Sequence, residues 1–251
     1  MASDLLATGD ETGMHRLLMK LRARDLVSDK EEEVLRASVS EVLELPASRV
    51  IVKAGVTLSN CTLLIDGVVA RYKDLADGQR QIMELHLPGD FLDLHSFLLK
   101  RLEHNVGAIT AVRLALVPHE AVRAITEEHP HLARLLWFST LLDAAIHRER
   151  ILSVGRRTAV ARIAHLICEL QVRLEVVGLS DDFRFPLPLT QADIADATGL
   201  TSVHVNRMLK RLRDEELLTF RGGEVVIQDW DRLQRIAEFT PDYLYLDRRP
   251  R

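Results

Sequence analysis

The stretch Leu189–Asp214, LTQADIADATGLTSVHVNRMLKRLRD, constrains the fold of this chain more tightly than any other. Thr190 stands three residues before Asp193, the spacing of a capping box, so a helix is expected to start there and run through Ile194 and Ala195. Gly199 is placed to end it. Thr201 can cap a second helix whose residues divide at helical spacing into two stripes: Val205, Met208, Leu209 and Leu212 on one side, Val203, Asn206, Arg207 and Lys210 on the other. The first stripe is apolar and packs; the second faces outward. Small Ala195, turn-forming Gly199 and apolar Val205 follow one another at intervals that let two helices cross closely, so the segment is expected to be a helix-turn-helix.

Charge says what such a unit would face. The chain carries a formal net charge of -4, yet the second helix holds Arg207, Lys210, Arg211 and Arg213 with no acid between Thr201 and Asp214. Solvated arginines on an amphipathic helix are the ordinary explanation of a short basic run. With the capping box and the helix-crossing spacing beside it, the run points instead to phosphates and hence to double-stranded DNA. Next, Leu217–Phe220 and Glu224–Ile227 flank Arg221-Gly222-Gly223, two short strands joined through a glycine turn. A hairpin in this place makes the unit a winged helix, with Arg221 at its tip.

A chain of 251 residues, 47% hydrophobic, is long enough for two domains with real cores. No apolar run reaches the length of a membrane span, and Met1 to Gly13 is too polar for a signal peptide, so a cytoplasmic protein with no membrane partner is expected. Cys61 and Cys168, far apart, suggest two small buried hydrophobes and no disulfide framework or cysteine-held metal. Residues from about Met14 to Leu45 are expected to be helical, with Leu17, Leu18, Leu21, Leu26, Val34 and Leu35 packing onto the next part of the chain. From Arg49 to Pro118 short β-type runs alternate with turn signals such as Asp66-Gly67, Asp77-Gly78 and Pro88-Gly89-Asp90, which predicts a sandwich or barrel. After Pro118 the pattern is helical again. Leu132, Leu135, Leu136, Phe138, Leu142, Ala145 and Ile146 cover most of one helix circumference. Such a helix needs cover on two sides, one given by the barrel and the other by the same helix of a second subunit. The expected dimer interface is therefore Leu135, Phe138, Leu142, Ala145 and Ile146, with Gly155 as a helix-breaking hinge beyond it.

The expected fold is thus α+β: an N-terminal barrel or jelly-roll sensor domain with leading helices over 1–127, a dimerisation helix over 128–154, and a winged helix-turn-helix over 155–251. In that order these parts resemble the Crp/Fnr family of bacterial transcription regulators. The likeness is strongest from Val154-Gly155-Arg156-Arg157 to Phe239, and the segment Gly199–Arg207 matches the family's recognition-helix pattern best. The resemblance puts Arg207 on the family's base-reading arginine, whose guanidinium can give two parallel hydrogen bonds to guanine O6 and N7. Many members carry Arg and Glu where this chain has Ser202 and Val203, so its operator is expected to differ. Val203 can meet a thymine methyl and Asn206 can read adenine or hold a phosphate, which makes Ser202, Val203, Asn206 and Arg207 the base-reading set. Thr190, Gln191, Thr201, Lys210, Arg211 and Arg221 are the phosphate-contacting set.

The resemblance also implies an effector pocket in a cyclic-nucleotide-binding-like barrel. Members hold the ribose and cyclic phosphate with a glycine-acid turn and a following Arg-Ser pair. Pro88–Leu92 keeps the turn; the segment Leu102-Glu103-His104-Asn105 lacks the pair and offers an acid where a phosphate needs a cation. Cyclic AMP is therefore not expected, and the absence of cysteine before Cys61 speaks against an iron–sulfur cluster. The effector is left unknown, with Gly89, Asp90, Leu92, His104 and Asn105 as the pocket candidates. His86, His95 and His104, nine residues apart, raise a metal or haem site, though no local ligand motif is formed and satisfied imidazoles are commoner. No nucleophile–base grouping or phosphate loop suggests an enzyme. The leading reading is a dimeric DNA-binding regulator that reads a palindrome with helix 202–213 and can contact RNA polymerase. The alternative is a ligand-sensing or protein-interaction module whose winged helix does not read DNA.

Overall fold

Antiparallel pairing organises residues 41–118 into two facing sheets in the computed structural model, which describes residues 13–250. The polar stretch up to residue 12 lies outside the described residues. One sheet has the order β1-β7-β3, with β1 Glu41–Leu45, β3 Asn60–Asp66 and β7 Val112–Pro118. The other is β2-β6-β4-β5, with β2 Val50–Val52, β4 Val69–Asp74, β5 Arg80–His86 and β6 Asn105–Ala108. Val52, Leu64, Val69, Leu92, Val106, Val112 and Leu114 fill the space between them. Alternation along the strands sends their residues of this set inward and the neighbours out, while Leu92 enters from the turn after β5.

The N-terminal helices are α1, His15–Arg22, and α2, Asp29–Ala37. Leu17, Leu18, Leu21 and Leu35 are buried, whereas Leu26 is exposed. The helical expectation is corrected beyond Ala37: Glu41–Leu45 is strand β1, paired in register with Val112–Leu116. Its Glu-Val-Leu-Glu-Leu pattern suits a half-buried strand as well as a helix, and the partner strand decides. Strand β6 escaped the sequence pattern because only four residues, one of them Gly107, carry it.

A four-residue helix α3, Ser96–Leu99, interrupts the barrel, and α4, His119–Glu128, leaves it. Helix α5 then runs unbroken over Pro130–Arg156, 27 residues or about 40 Å. Gly155 is therefore not the break. The turn lies at Arg157 and Thr158, both extended, because Thr158 caps α6, Ala159–Val176, by accepting from the Ala161 amide. A helix start fixes that backbone more firmly than a lone glycine disrupts one.

The C-terminal part comprises β8 Arg184–Pro186, α7 Gln191–Thr198, α8 Ser202–Asp214, β9 Leu218–Arg221, β10 Glu224–Ile227 and α9 Trp230–Ala237. Both wing strands appear as expected, and β8, unforeseen because it ends on Pro186 with Pro188 close behind, joins them in the order β8-β10-β9. The core of this part is continuous with Ala70, Ile82 and Leu85 of the barrel and with Leu142 and Ile146 of α5. Recognition unit, long helix and barrel thus share one apolar interior.

Candidate nucleic-acid interface

Backbone chemistry sets up the reading helix. The capping box at α7 is formed: the Thr190 amide and hydroxyl donate to Asp193 Oδ2 at 2.9 and 2.7 Å, and the Asp193 amide donates to Thr190 Oγ1 at 3.1 Å. Gly199 ends α7 with φ 65°, a left-handed conformation that a side chain would strain. Thr201 then caps α8, accepting from the His204 amide at 3.3 Å. Val205, Leu209 and Leu212 are buried, which turns the other face of α8 outward.

Ser202, Val203, Asn206 and Arg207 are all exposed and share that outward face. Val203 is 68% exposed, an apolar side chain held in water with no core role. Among the described residues Arg207 has no ion pair, while its neighbours do: Lys210 meets Asp214 at 2.5 Å and Arg211 meets Glu215 at 2.7 Å. These i,i+4 pairs are exposed and weak, so a phosphate can displace them. Asn206 donates to Gln191 Oε1 at 3.3 Å, linking the two helices across the turn. Thr190, Gln191 and Thr201 are exposed beside them, and Arg221 sits at the wing tip before Gly222 and Gly223. His204, on the first turn of α8, is exposed beside them.

The five residues expected at an effector pocket do not come together. Gly89 packs so closely on α1 that a Cβ would stand 2.8 Å from the Arg16 carbonyl carbon. Asp90 is engaged by Lys20, by Arg173 at 3.0 Å and by the Leu87 amide at 2.7 Å. Leu92 belongs to the core between the sheets. Asn105 bridges the Ala54 amide and Asp74 at the sheet edge. Only His104 lines the larger opening, a groove of about 720 Å³ between the barrel and α5 whose walls include Arg71, Met83, His95, His147 and Ile151. The sequence put these candidates in two segments, Pro88–Leu92 and Leu102–Asn105; the first packs against α1 and α6, and only the second reaches the groove.

At the groove the His95 and His104 Nε2 atoms stand 3.4 Å apart. Burial, then the Arg71 cation, holds both imidazoles down to about 4, so near neutral pH the pair is uncharged. His86 is fully buried elsewhere, within 3.8 Å of Glu84, and among the described residues no group of three ligating side chains forms. Arg71 is tied to Glu84 at 2.7 Å and donates to the Leu92 carbonyl, while His147 approaches Glu84 at 3.3 Å. This network is a buried ionic seam between barrel and helix; an Arg71 left without Glu84 would be an uncompensated buried charge.

The expected dimer contacts also need correction. Leu135, Leu142, Ala145 and Ile146 are buried within the chain, and Phe138 is half-buried against the Tyr245 ring at 6.2 Å. They hold α5 to its own barrel and C-terminal part, so they are not available to a partner. The open stripe is Trp137, Leu141, Ala144, Arg148, Ile151 and Gly155, spaced alternately by four and three residues. Trp137 is 66% and Ile151 73% exposed. The heptad spacing was present in the sequence, but an all-round apolar helix hides which stripe its own fold covers.

Comparison with known proteins agrees with this geometry. The family model of the Crp-like helix-turn-helix domain matches residues 161–236, and that of the cyclic nucleotide-binding domain matches residues 42–129. The nitrogen fixation regulation protein FixK of Bradyrhizobium diazoefficiens is 31% identical over 175 residues, spanning 69% of this chain and 72% of FixK. The transcriptional activator protein FnrL of Cereibacter sphaeroides is 27% identical over 211 residues, spanning 82% of this chain and 84% of FnrL. The structure of FixK2 from Bradyrhizobium japonicum superposes with a TM-score of 0.73 at 28% identity, covering 80% of this chain and 99% of that one. Fold and interface together define a winged helix-turn-helix regulator built on a cyclic-nucleotide-type barrel. The chain belongs to the Crp/Fnr family of DNA-binding transcription regulators. No described helix is long and apolar enough to cross a membrane.

Proposed function

We propose that two copies of this chain read an approximately palindromic operator, each placing α8 in a major groove, with the grooves about 34 Å apart. The observation that carries this reading is the exposed face of α8, on which Val203, Asn206 and Arg207 stand together beyond a capped α7, with Arg207 in no ion pair among the described residues. Arg207 reads guanine, Asn206 adenine and Val203 a thymine methyl, with Ser202 beside them. Thr190, Gln191, Thr201, Lys210, Arg211 and Arg221 fix the register on phosphates. The subunits pair through Trp137, Leu141, Ala144 and Ile151, in keeping with the dimeric habit of the family. The protein works in the cytoplasm, where its DNA and RNA polymerase are.

The test is selection of bound fragments from random duplex DNA by the purified protein at two salt concentrations. An approximate palindrome with half-sites about one helical turn apart supports the reading. Weak binding that is blind to sequence and steeply salt-dependent would contradict it for the free protein.

A further inference from the structure

One side chain of the barrel holds the first helix of the recognition unit. Arg80, at the start of β5, donates from Nη2 to Asp193 Oδ1 and from Nε to Asp196 Oδ2, both at 2.9 Å. Its guanidinium lies 5.5 Å from the centre of the Tyr72 ring. The next residue, Gln81, donates to the Asp196 carbonyl at 2.6 Å. Asp193 and Asp196 are one turn apart on α7, so a single planar fork spans both carboxylates. Asp193 is used twice: Oδ2 closes the capping box with Thr190, and Oδ1 ties the same turn to the barrel.

We propose that Arg80 is a positioning residue for DNA binding, fixing α7 against the barrel and neutralising the two carboxylates that would otherwise stand beside the DNA backbone. This rests on the reading of α7 and α8 as the DNA interface. Thr190 and Gln191, the phosphate-contacting residues at the start of α7, lie within one turn of Asp193, and Asp196 follows one turn further along. Two uncompensated negative charges there would repel every phosphate approaching them. The clamp grips α7 and leaves Ser202, Val203, Asn206 and Arg207 uncovered, so it holds the unit without masking its reading face. On another side of the molecule the C-terminal segment gives a second hold: Arg24 donates to the Leu244 carbonyl at 3.0 Å and Tyr243 to Glu169 Oε2 at 2.9 Å. Between these holds, the covalent link from α5 to α6 is only Arg157 and Thr158.

The experiment compares Arg80→Gln, Asp196→Asn and the double variant in the full-length protein. Binding to the selected palindrome and to a scrambled duplex is measured together with hydrogen exchange of residues 191–198 in the absence of DNA. Arg80→Gln is expected to weaken both duplexes by about tenfold, leaving their ratio unchanged. Asp196→Asn removes one of the two carboxylates along with half of the fork, so its loss is smaller; the double variant loses no more than Arg80→Gln alone, because both changes open one clamp. Exchange over α7 rises in the Arg80 variant. Wild-type affinity and exchange in Arg80→Gln, or losses that add in the double variant, would overturn the proposal. Absence of sequence-selective binding by the unaltered protein would instead defeat the DNA reading, and the exchange measurement, which needs no DNA, still decides whether the clamp exists.

Discussion

Arg207→Ala is expected to weaken binding to the selected palindrome by about 1–3 kcal/mol per half-site and to erase the preference at one base pair in each. The expectation follows from the surroundings of the side chain. Arg207 is exposed on the outward face of α8 and has no ion pair among the described residues, so its five donors reach a base edge without first leaving a carboxylate. Arg207→Lys should recover little, since an ammonium cannot give the two parallel hydrogen bonds of a guanidinium. Lys210→Ala serves as the contrast. Its partner Asp214 shows it to be a surface cation one turn further along, and its loss should weaken every duplex alike and flatten the salt dependence by about one phosphate. Repeating the selection with each variant separates the two outcomes. An Arg207→Ala protein that recovers the unaltered consensus would show that another residue reads that base.

Leu141→Glu combined with Ile151→Glu should convert the protein to monomers and reduce operator affinity by several orders of magnitude. Both side chains are exposed on α5, at 52% and 73%, and by two-fold symmetry each is buried twice in a dimer. Full burial of such a side chain contributes about 1.5–3 kcal/mol, and a carboxylate in its place adds a desolvation cost. Without the dimer, each recognition helix binds as a single half-site and the gain from linking them is lost. Sedimentation gives the oligomeric state and thermal unfolding checks the fold. The same change at Leu142 or Ile146 should behave differently, because these residues are 8% and 2% exposed inside the protomer: it should unfold the chain before it dissociates one. A fully dimeric Leu141→Glu, Ile151→Glu protein would place the interface elsewhere.

The recognition unit was legible in the sequence because its signals are local. A capping box, a helix-ending glycine and a two-stripe pattern each lie within one or two turns, and Thr190, Gly199 and Thr201 take up the roles their spacing predicts. The wing was legible for the same reason. Glu41–Leu45 was not, since its strand character comes from Val112–Leu116, some seventy residues away. Burial by distant parts of the chain also explains the misplaced dimer stripe: Leu142 and Ile146 pack on α6 and the barrel, which periodicity within α5 cannot reveal. The dispersal of the effector-pocket candidates has a similar ground. Gly89 and Asp90 keep the sequence of a ligand-binding turn, yet Lys20 and Arg173, from α1 and α6, occupy the carboxylate. Arg80 was invisible for the plainest reason, since its partners lie 113 and 116 residues further along.

Two recognition helices held by one dimer should read two half-sites on the same face of the duplex. Binding to the selected palindrome is therefore compared with binding to a version that has about five base pairs inserted between its half-sites, half a helical turn. A rigid dimer should lose nearly all of its advantage over a single half-site when the second is rotated to the opposite face. Equal affinity for the two duplexes would contradict the account.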